Sequence, residues 1–489
     1  MSGTDPNISS SDSSSSDASA QLSSAAGDDG KGQGAEGLYA AHKKVYVRST
    51  NGVFAKWRWG LVWLTQIIFF GLPWFVWNDR QAFLLHLVER KFYIFGWVFW
   101  PQEVLFLSLL LIISAYSLFF FTAIAGRLWC GYACPQTVYT EIFLWIEEKI
   151  EGDHNARLRL DKSPMNGRKF AIKSVKYAIW GAFSLWTGFT LVAYFTPVKE
   201  LLASIPTFGF GPWETFWIFF YGTFTFVFAG FMREQVCKYM CPYARFQSVM
   251  FDPDTLIVTY DEARGEPRAM LRKGEDRTGR GDCIDCGICV QVCPTGIDIR
   301  QGLQYECIGC GVCIDACDQI MDKVKLPRGL VRYTTENALK RGWGSGEILR
   351  HVRRPRTLVY GAILLVIVSA FVWGLATRTP LRFDVIRDPY SLGRTVSGGM
   401  VENDYILKVM NMAEERRTFL ISVAGLDGIR MVGESEVTIE PTENRQLLIQ
   451  ARVPKASVQQ VSNEIYFEVV SKDAPGLQRK GKAVFLLPN

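Results

Sequence analysis

Histidine is scarce in this chain. The 489 residues include only four, His42, His86, His154 and His351. Imidazoles spread so widely offer no cluster from which to build a histidine metal centre. Cysteine is absent before Cys130 and after Cys317. With all 12 confined to that interval, the thiols are not a disulfide scaffold distributed over a secreted fold. Residues 1–38 have almost nothing apolar to bury. Rich in Ser, Gly and Asp, they are expected to be disordered. Lacking a basic start and an apolar core, they are no signal peptide. They do contain "GQGAEG", Gly32 to Gly37, but no strand precedes it and no helical pattern follows, so a dinucleotide site is excluded. Strong charge of one sign is missing too. The net charge is +6, modest enough that its placement must decide its meaning.

What is present in quantity is apolar sequence, 48% of the chain. Five runs, near 60–77, 104–126, 177–196, 213–232 and 357–376, are of the length that crosses a bilayer, about 20 residues. A sixth stretch, 81–100, is aromatic but carries His86, Glu89, Arg90 and Lys91 in its middle. Charge is costly in hydrocarbon, so it reads as an interfacial segment. Residues 137–150, "TVYTEIFLWIEEKI", read as a second surface-lying amphipathic helix. Lys and Arg cluster before the first run, between the second and third, and just before the fifth, whereas the loop between the third and fourth has only Lys199. The positive-inside rule then places the N-terminus in the cytoplasm and the C-terminus outside. Because the basic excess is topogenic, no nucleic-acid partner is expected. After the fifth run, short strand-like segments such as "RTFLISVAG" and "EIYFEVV" alternate with turn residues, the pattern of an antiparallel sandwich. That segment has neither Cys nor His, and it reads as a docking or structural module.

The strongest signal is "CIDCGICVQVCP" followed by "CIGCGVCIDACD". Each half is C-x2-C-x2-C-x3-C. Three thiolates at two-residue intervals wrap one face of a cubane, and the fourth is carried to the other cluster. Cys283, Cys286 and Cys289 are therefore expected to share a [4Fe–4S] cluster with Cys317. Cys307, Cys310 and Cys313 are expected to share a second with Cys293. Zinc favours paired C-x2-C units, so two consecutive full quartets point to iron–sulfur. Gly287, Gly309 and Gly311 allow the backbone close to inorganic sulfur. Pro294 follows the first quartet but Asp318 the second, a departure that leaves the ligands intact.

Two further motifs share one form. "GRLWCGYACPQ" holds Cys130 and Cys134, and "REQVCKYMCPY" holds Cys237 and Cys241, each pair four residues apart with Pro135 or Pro242 next. Positions i and i+4 share a helix face, and proline interrupts or redirects the helix. Both motifs follow an even-numbered run, and corresponding cysteines are offset by 107 residues. Runs one and two with their motif therefore look duplicated as runs three and four with theirs, and the repeats should bring the four thiols to one point. A soft-metal site such as Cu(I), or a redox dithiol pair, fits that arrangement; the plainer alternative is small buried apolar residues. Helix ends, Lys238 and Arg245 are expected to lower the thiol pKa values. Met240 reads as a packing residue, and His86 is expected to lie outside rather than to be a ligand.

Together these parts resemble the CcoG family, the FixG/RdxA-type accessory proteins of cytochrome c oxidase, over about residues 40–489. The quartets with C-x3-C-P also resemble NapH- and NosR-type membrane ferredoxins; the order of parts and the terminal sandwich favour CcoG. The resemblance implies a multidomain membrane protein of the bacterial inner membrane. It would consist of a tail (1–38), a membrane domain (39–250), a cytoplasmic 2[4Fe–4S] ferredoxin-like insert (251–350), a fifth span (351–376) and a periplasmic Ig-like β-sandwich (377–489). It further implies a cupric reductase that assists assembly of a cbb3-type oxidase, with copper-delivery proteins and oxidase assembly factors as partners. Cys130, Cys134, Cys237 and Cys241 would then be the copper or relay site. A homodimer is compatible with this reading. The alternative is a redox subunit passing electrons between a quinol and a partner protein.

Overall fold

The computed structural model describes residues 44–270, 278–388, 393–458 and 460–487. The Ser-rich stretch expected to be disordered lies outside the described residues. Residues 46–489 fold as one unit.

Five long helices stand where the five apolar runs were expected: α1 (Val53–Gly71), α2 (Val104–Ala125), α5 (Gly167–Val192), α6 (Pro212–Val227) and α9 (Pro355–Ala376). Between α2 and α5 lie α3 (Leu128–Tyr132) and α4 (Pro135–Glu151); after α6 come α7 (Pro242–Met250) and α8 (Val312–Lys323). Proline opens α4, α6, α7 and α9, where its missing N–H is no loss and its fixed φ is already helical. Among the described residues three helical segments, Pro101–Ala125, Pro212–Met232 and Pro355–Ala376, are long and apolar enough to cross a membrane. Helix α1 carries Lys56 and Arg58 in its first turns. Helix α5 spends its first ten residues on Arg168, Lys169, Lys173 and Lys176, which leaves an apolar part shorter than the run expected at 177–196. Helix α5 packs along α6 and α9 along α2. The second pair is joined by Phe106–Phe371 and Tyr116–Tyr360 edge contacts at 6.1 and 6.2 Å.

One segment takes a form the sequence did not suggest, and one expectation is corrected. Residues 81–100 are an antiparallel meander of Phe83–His86, Lys91–Ile94 and Trp97–Phe99. Their charges mark a turn. His86 pairs with Lys91 across it, Arg90 has φ 57°, and Leu84, Tyr93 and Val98 bury one face. The meander leans on the C-terminal sandwich through Arg80–Glu414, and Glu103 pairs with Arg378 at 2.6 Å. Helix α4 is not surface-lying. Its acidic face is the buried one. Glu147 meets Arg233 at 2.7 Å, with Arg157 and Lys176 at 3.6 Å, and Glu151 meets Lys176 at 2.7 Å and Lys173 at 2.8 Å. Phe143 stacks at 5.0 Å on the buried Trp180 of α5. Lys173 and Lys176, counted above as topogenic, therefore also neutralise buried carboxylates.

The C-terminal segment is the expected sandwich. One antiparallel sheet has the order Arg430–Val432, Asn444–Pro454, Met400–Asn411, Leu381–Arg387, and Arg394–Val396 pairs with one end of Met400–Asn411. The other has the order Glu436–Ile439, Arg417–Ala424, Ser462–Ser471, Gln478–Leu486. Alternate residues, among them Tyr405, Leu407, Phe419, Ile449, Phe467 and Phe485, fill the space between the sheets, as period-2 patterning requires.

Removing one member of a buried ion network strands its partners' charge. Glu147→Gln should therefore cost about 3–5 kcal/mol, read as a lowered unfolding temperature in detergent. Lys472→Ala breaks the half-exposed Lys472–Glu436 pair and should cost at most about 1 kcal/mol. Equal losses would show that the Glu147 network does not stabilise the fold.

Candidate redox centre

The ferredoxin-like segment is bracketed by an antiparallel pair, Ile257–Tyr260 with Val331–Thr334. Val258, Tyr260, Ile297, Ile299, Ile314, Met321, Leu330 and Val331 form its core, into which the cysteines pack. Glycines 287, 309 and 311 have φ 64°, 65° and 71°, the left-handed region open to glycine at little cost. Asp285 occupies the position equivalent to Gly309, with φ 51°, and its carboxylate pairs with Arg300. Cys317 lies with the first three cysteines and Cys293 with the second three. Cys283, Cys286, Cys289 and Cys317 line one small cavity, walled by Ile284, Ile288, Ile320 and Met321. Cys293, Cys307, Cys310 and Cys313 line another, walled by Ile297, Ile299 and Ile308, and Cys289 reaches this cavity as well as the first. Two apolar cradles lined by the eight thiols, with Cys289 between them, fit two [4Fe–4S] clusters. The first quartet includes the exposed Cys286, and the second the buried Cys310. The Gly309 N–H points to Cys307 Sγ at 3.4 Å.

The two C-x3-C-P motifs meet beside the second quartet. Cys130 sits on α3, and Cys134 is the residue before Pro135 of α4. Cys237 lies in a π-helical turn, Val236–Met240, and Cys241 precedes Pro242 of α7. The expectation that each pair shares an α-helical face is thus modified: proline starts a new helix directly after the second thiol, and the second pair spans a π turn. The duplication extends to the backbone. Gly126 and Arg233, again 107 residues apart, both turn out of the preceding helix with positive φ, 55° and 38°. The residue after each proline crosses to the other repeat. Gln136 Nε2 donates to the carbonyls of Phe228 and Arg233 at 3.0 and 3.1 Å. Tyr243 donates to the Leu118 carbonyl at 3.2 Å and contacts the Thr122 hydroxyl.

These crossings bring the four thiols into one neighbourhood, where Cys237 feels Cys134, Cys130 and Cys241 electrostatically. Among the described residues no three His, Cys, Asp or Glu side chains close to single-ion spacing. The thiols are thus neighbours without forming a three- or four-thiolate cage. Cys130 Sγ contacts Gln247 Oε1 at 3.4 Å, and Gln247 is wholly buried. The expected lowering of the thiol pKa values is reversed. Burial pushes Cys130 and Cys237 up to about 12 against the pull of Arg127. It also raises Cys134, against the N–H groups of Thr137 and Gln136. Desolvation outweighs the helix ends.

Helix α3 lies directly on the loop that carries Cys310. A Cβ added at Gly131 would stand 2.8 Å from Cys310 Cα and 2.9 Å from the Ile308 carbonyl. Tyr132 meets Tyr333 at 3.3 Å, and the Tyr333 hydroxyl donates to the Gly309 carbonyl at 2.7 Å. On the other side, Asp315 of α8 accepts from the Ala55 and Phe54 N–H groups at 2.8 and 3.3 Å, capping α1. Arg127, Gly131, Gln247 and Asp315 were not singled out as site residues in the sequence. His86 accepts from the Glu89 N–H at 3.1 Å within the meander, a turn role, and Met240 is half exposed.

Comparison with known proteins agrees in outline. The family described as a 4Fe-4S dicluster domain matches residues 232–336. The IG-like fold at the C-terminal of FixG, a putative oxidoreductase, matches 371–488. A 4Fe-4S binding domain matches 107–151, where the only cysteines are Cys130 and Cys134. The nitrogen fixation protein FixG of Rhizobium meliloti is 36% identical over 484 residues, covering 90% of this chain and 92% of that protein. Protein RdxB of Cereibacter sphaeroides is 42% identical over 397 residues, covering 79% and 83%. The crystal structure of a FixG-related protein from Vibrio parahaemolyticus covers 23% of this chain and 100% of its own, at 24% identity and a TM-score of 0.22.

The contact at Gly131 is testable. Gly131→Ala should unseat the Cys310 loop and lower iron from about eight atoms toward about four, with loss of one of the two cluster signals in electron paramagnetic resonance. Gly60→Ala, where nothing lies within 4 Å, should leave both. Full iron in Gly131→Ala would show that the loop does not depend on this contact.

Proposed function

This chain belongs to the FixG and RdxA family, and from that premise we propose that it is an inner-membrane iron–sulfur redox protein that reduces Cu(II) to Cu(I) during assembly of a cbb3-type cytochrome c oxidase. The observation that carries the reading is the neighbourhood of four thiols, two from each repeat, whose first pair flanks Gly131 against the loop of Cys310. When bound at the two quartets, [4Fe–4S] clusters supply one-electron transfer. The chain's own residues do the rest. The apolar cradles hold the quartets dry, Gly131 and Tyr132 fix the distance between Cys130 and the second quartet, and thiols select Cu(I) over Cu(II). Copper is the substrate here. Copper-delivery proteins and oxidase assembly factors would be its partners, with the sandwich as the docking module.

The same reading has five spans, with the N-terminus and clusters cytoplasmic and the sandwich periplasmic. Contacts group the connections accordingly. Gln81 bonds the Ala193 carbonyl at 2.7 Å and Arg378 pairs with Glu103 at 2.6 Å, joining connections one and three to the sandwich. Tyr46 bonds Asp161 at 2.8 Å and Asp315 caps α1, joining the basic segments to the cluster region. The second reading, a conduit from a quinol to a partner, is favoured by a cavity of about 400 Å³ lined by Trp59, Trp145, Arg58 and Val312. Val312 also walls the second quartet.

Protein reduced with dithionite and then freed of it should convert Cu(II) to a chelatable Cu(I) species. Cys130→Ala with Cys237→Ala should lose most of this while retaining about eight iron atoms. Equal copper reduction by both would move the chemistry away from the thiol pairs, and reduction no faster than by a generic two-cluster ferredoxin would favour the conduit. About twelve iron atoms in the wild type, falling to about eight in the double variant, would make the thiol centre a third iron–sulfur site. A reporter fused at Asn489 should be active only outside the cytoplasm; activity inside would break the five-span topology.

A further inference from the structure

The two quartets sit in different electrostatic surroundings. The first, outer quartet includes the exposed Cys286. Arg300 lines its cavity, but two carboxylates hold that guanidinium, Asp298 at 2.7 Å and Asp285. A third, Asp318, directly follows Cys317. The second, inner quartet includes the buried Cys310 and lies against α3. Two buried cations act on it. Arg58 reaches Cys310, but Glu141 answers its charge at 2.7 Å. Arg127 is 6% exposed, and among the described residues it pairs with no carboxylate. One terminal N–H group donates to the Ala244 carbonyl of α7, and its Nε is buried without a partner. Arg127 lines a small cavity with Cys307 and Gly309, and a Cβ on Gly309 would stand 3.4 Å from the Arg127 carbonyl. Asp315, the nearby acid on α8, spends its charge on the N-terminus of α1. The second quartet thus has a buried positive charge that no carboxylate cancels, and the first has an excess of carboxylates.

Burial and charge pull in opposite directions here. A [4Fe–4S] cluster on four thiolates is an anion, and reduction adds one more negative charge. Burial disfavours that added charge, and solvent exposure and net charge are among the terms that set a cluster's potential. Burial alone would therefore make the second cluster harder to reduce than the first, and electrons would stop on the solvent side. A buried cation does the reverse, and the low dielectric strengthens its pull. The cluster is in turn the counter-charge that Arg127 lacks among the side chains. One electron then leaves the reduced first cluster and enters the oxidised second, with no bond made or broken.

We propose that Arg127 sets the reduction potential of the second cluster, raising it so that electrons move inward from the first cluster toward the C-x3-C-P thiols. The residue acts through its charge and ligates nothing. The inference rests on the two-cluster reading above and is independent of copper.

The test is a redox titration of the full-length protein, purified without oxygen in detergent and followed by electron paramagnetic resonance. The signal lost in Cys310→Ser identifies the second cluster, and the signal lost in Cys286→Ser the first. Arg127→Gln should retain about eight iron atoms. Reduction of its second cluster should become about tenfold less favourable, a fall of about 59 mV for a one-electron couple. The first cluster should move by less than about threefold, because the added distance and solvent screen it. Arg127→Lys, which keeps the charge, should leave both clusters within about threefold of the wild type. An unchanged second cluster in Arg127→Gln would overturn the inference, as would an equal fall of both. If Arg127→Gln loses the second cluster, Arg127→Lys decides. A second-cluster potential within about threefold of the wild type supports the inference, and a fall of about tenfold overturns it. Failure of the two-cluster reading is separate: the wild type itself would then lack two reducible cluster signals.

Discussion

The structure turns on one close approach. Gly131, between the thiols of the first C-x3-C-P motif, lies against the backbone of Cys310 of the second quartet. Only a residue without a side chain fits, because any Cβ would overlap Cys310 Cα. Other contacts at this end support the same docking. Tyr132 reaches Tyr333, and Asp315 caps α1. The ferredoxin-like segment is therefore built into the helices by side chains from both repeats and from the first helix. Electron transfer depends steeply on distance, and here that distance is set by backbone packing.

Much of this was legible in the sequence. The spacing of the quartets hands the fourth thiol of each to the other cluster, and Cys317 and Cys293 line cavities with the opposite triplets, Cys289 being shared by both. The convergence of Cys130, Cys134, Cys237 and Cys241 follows from a constant offset of 107 residues, because duplicated units pack about a common axis. What escaped has a shared cause. Charged residues were read one segment at a time, and three groups of them show what that leaves out. His86, Glu89, Arg90 and Lys91 sit around a hairpin turn. Glu147 and Glu151 face inward because four cations from elsewhere in the chain meet them. Lys238 and Arg245 were expected to activate the thiols, but the cation that reaches them is Arg127, and burial outweighs it. Which charges are buried together is a property of tertiary packing, and hydropathy along one segment does not contain it.

The thiol pKa values bear on how such a centre would behave. With Cys130 and Cys237 raised to about 12 by burial, these two thiols are protonated across the physiological range. They are poor nucleophiles in that state, which protects them from casual oxidation and alkylation. A metal bound by these thiols would displace protons, so its affinity would rise with pH.

The duplication is symmetric in its thiols and asymmetric in everything that touches the clusters. At the position of Gly131 the second repeat has Lys238, and at the position of Arg127 it has Glu234. Tyr132 is buried against Tyr333, while its counterpart Tyr239 is 69% exposed. A lysine in place of Gly131 could not approach Cys310, so the second repeat has no means of docking a ferredoxin loop, although its own chain leads directly into that segment. The loop instead folds back across α7 onto the first repeat. Helix α7 thereby becomes the shared wall, with Ala244 receiving Arg127 and Gln247 meeting Cys130. One repeat supplies the surface that holds the inner quartet, the other supplies the wall and two further thiols, and the position where the two functions meet is Arg127.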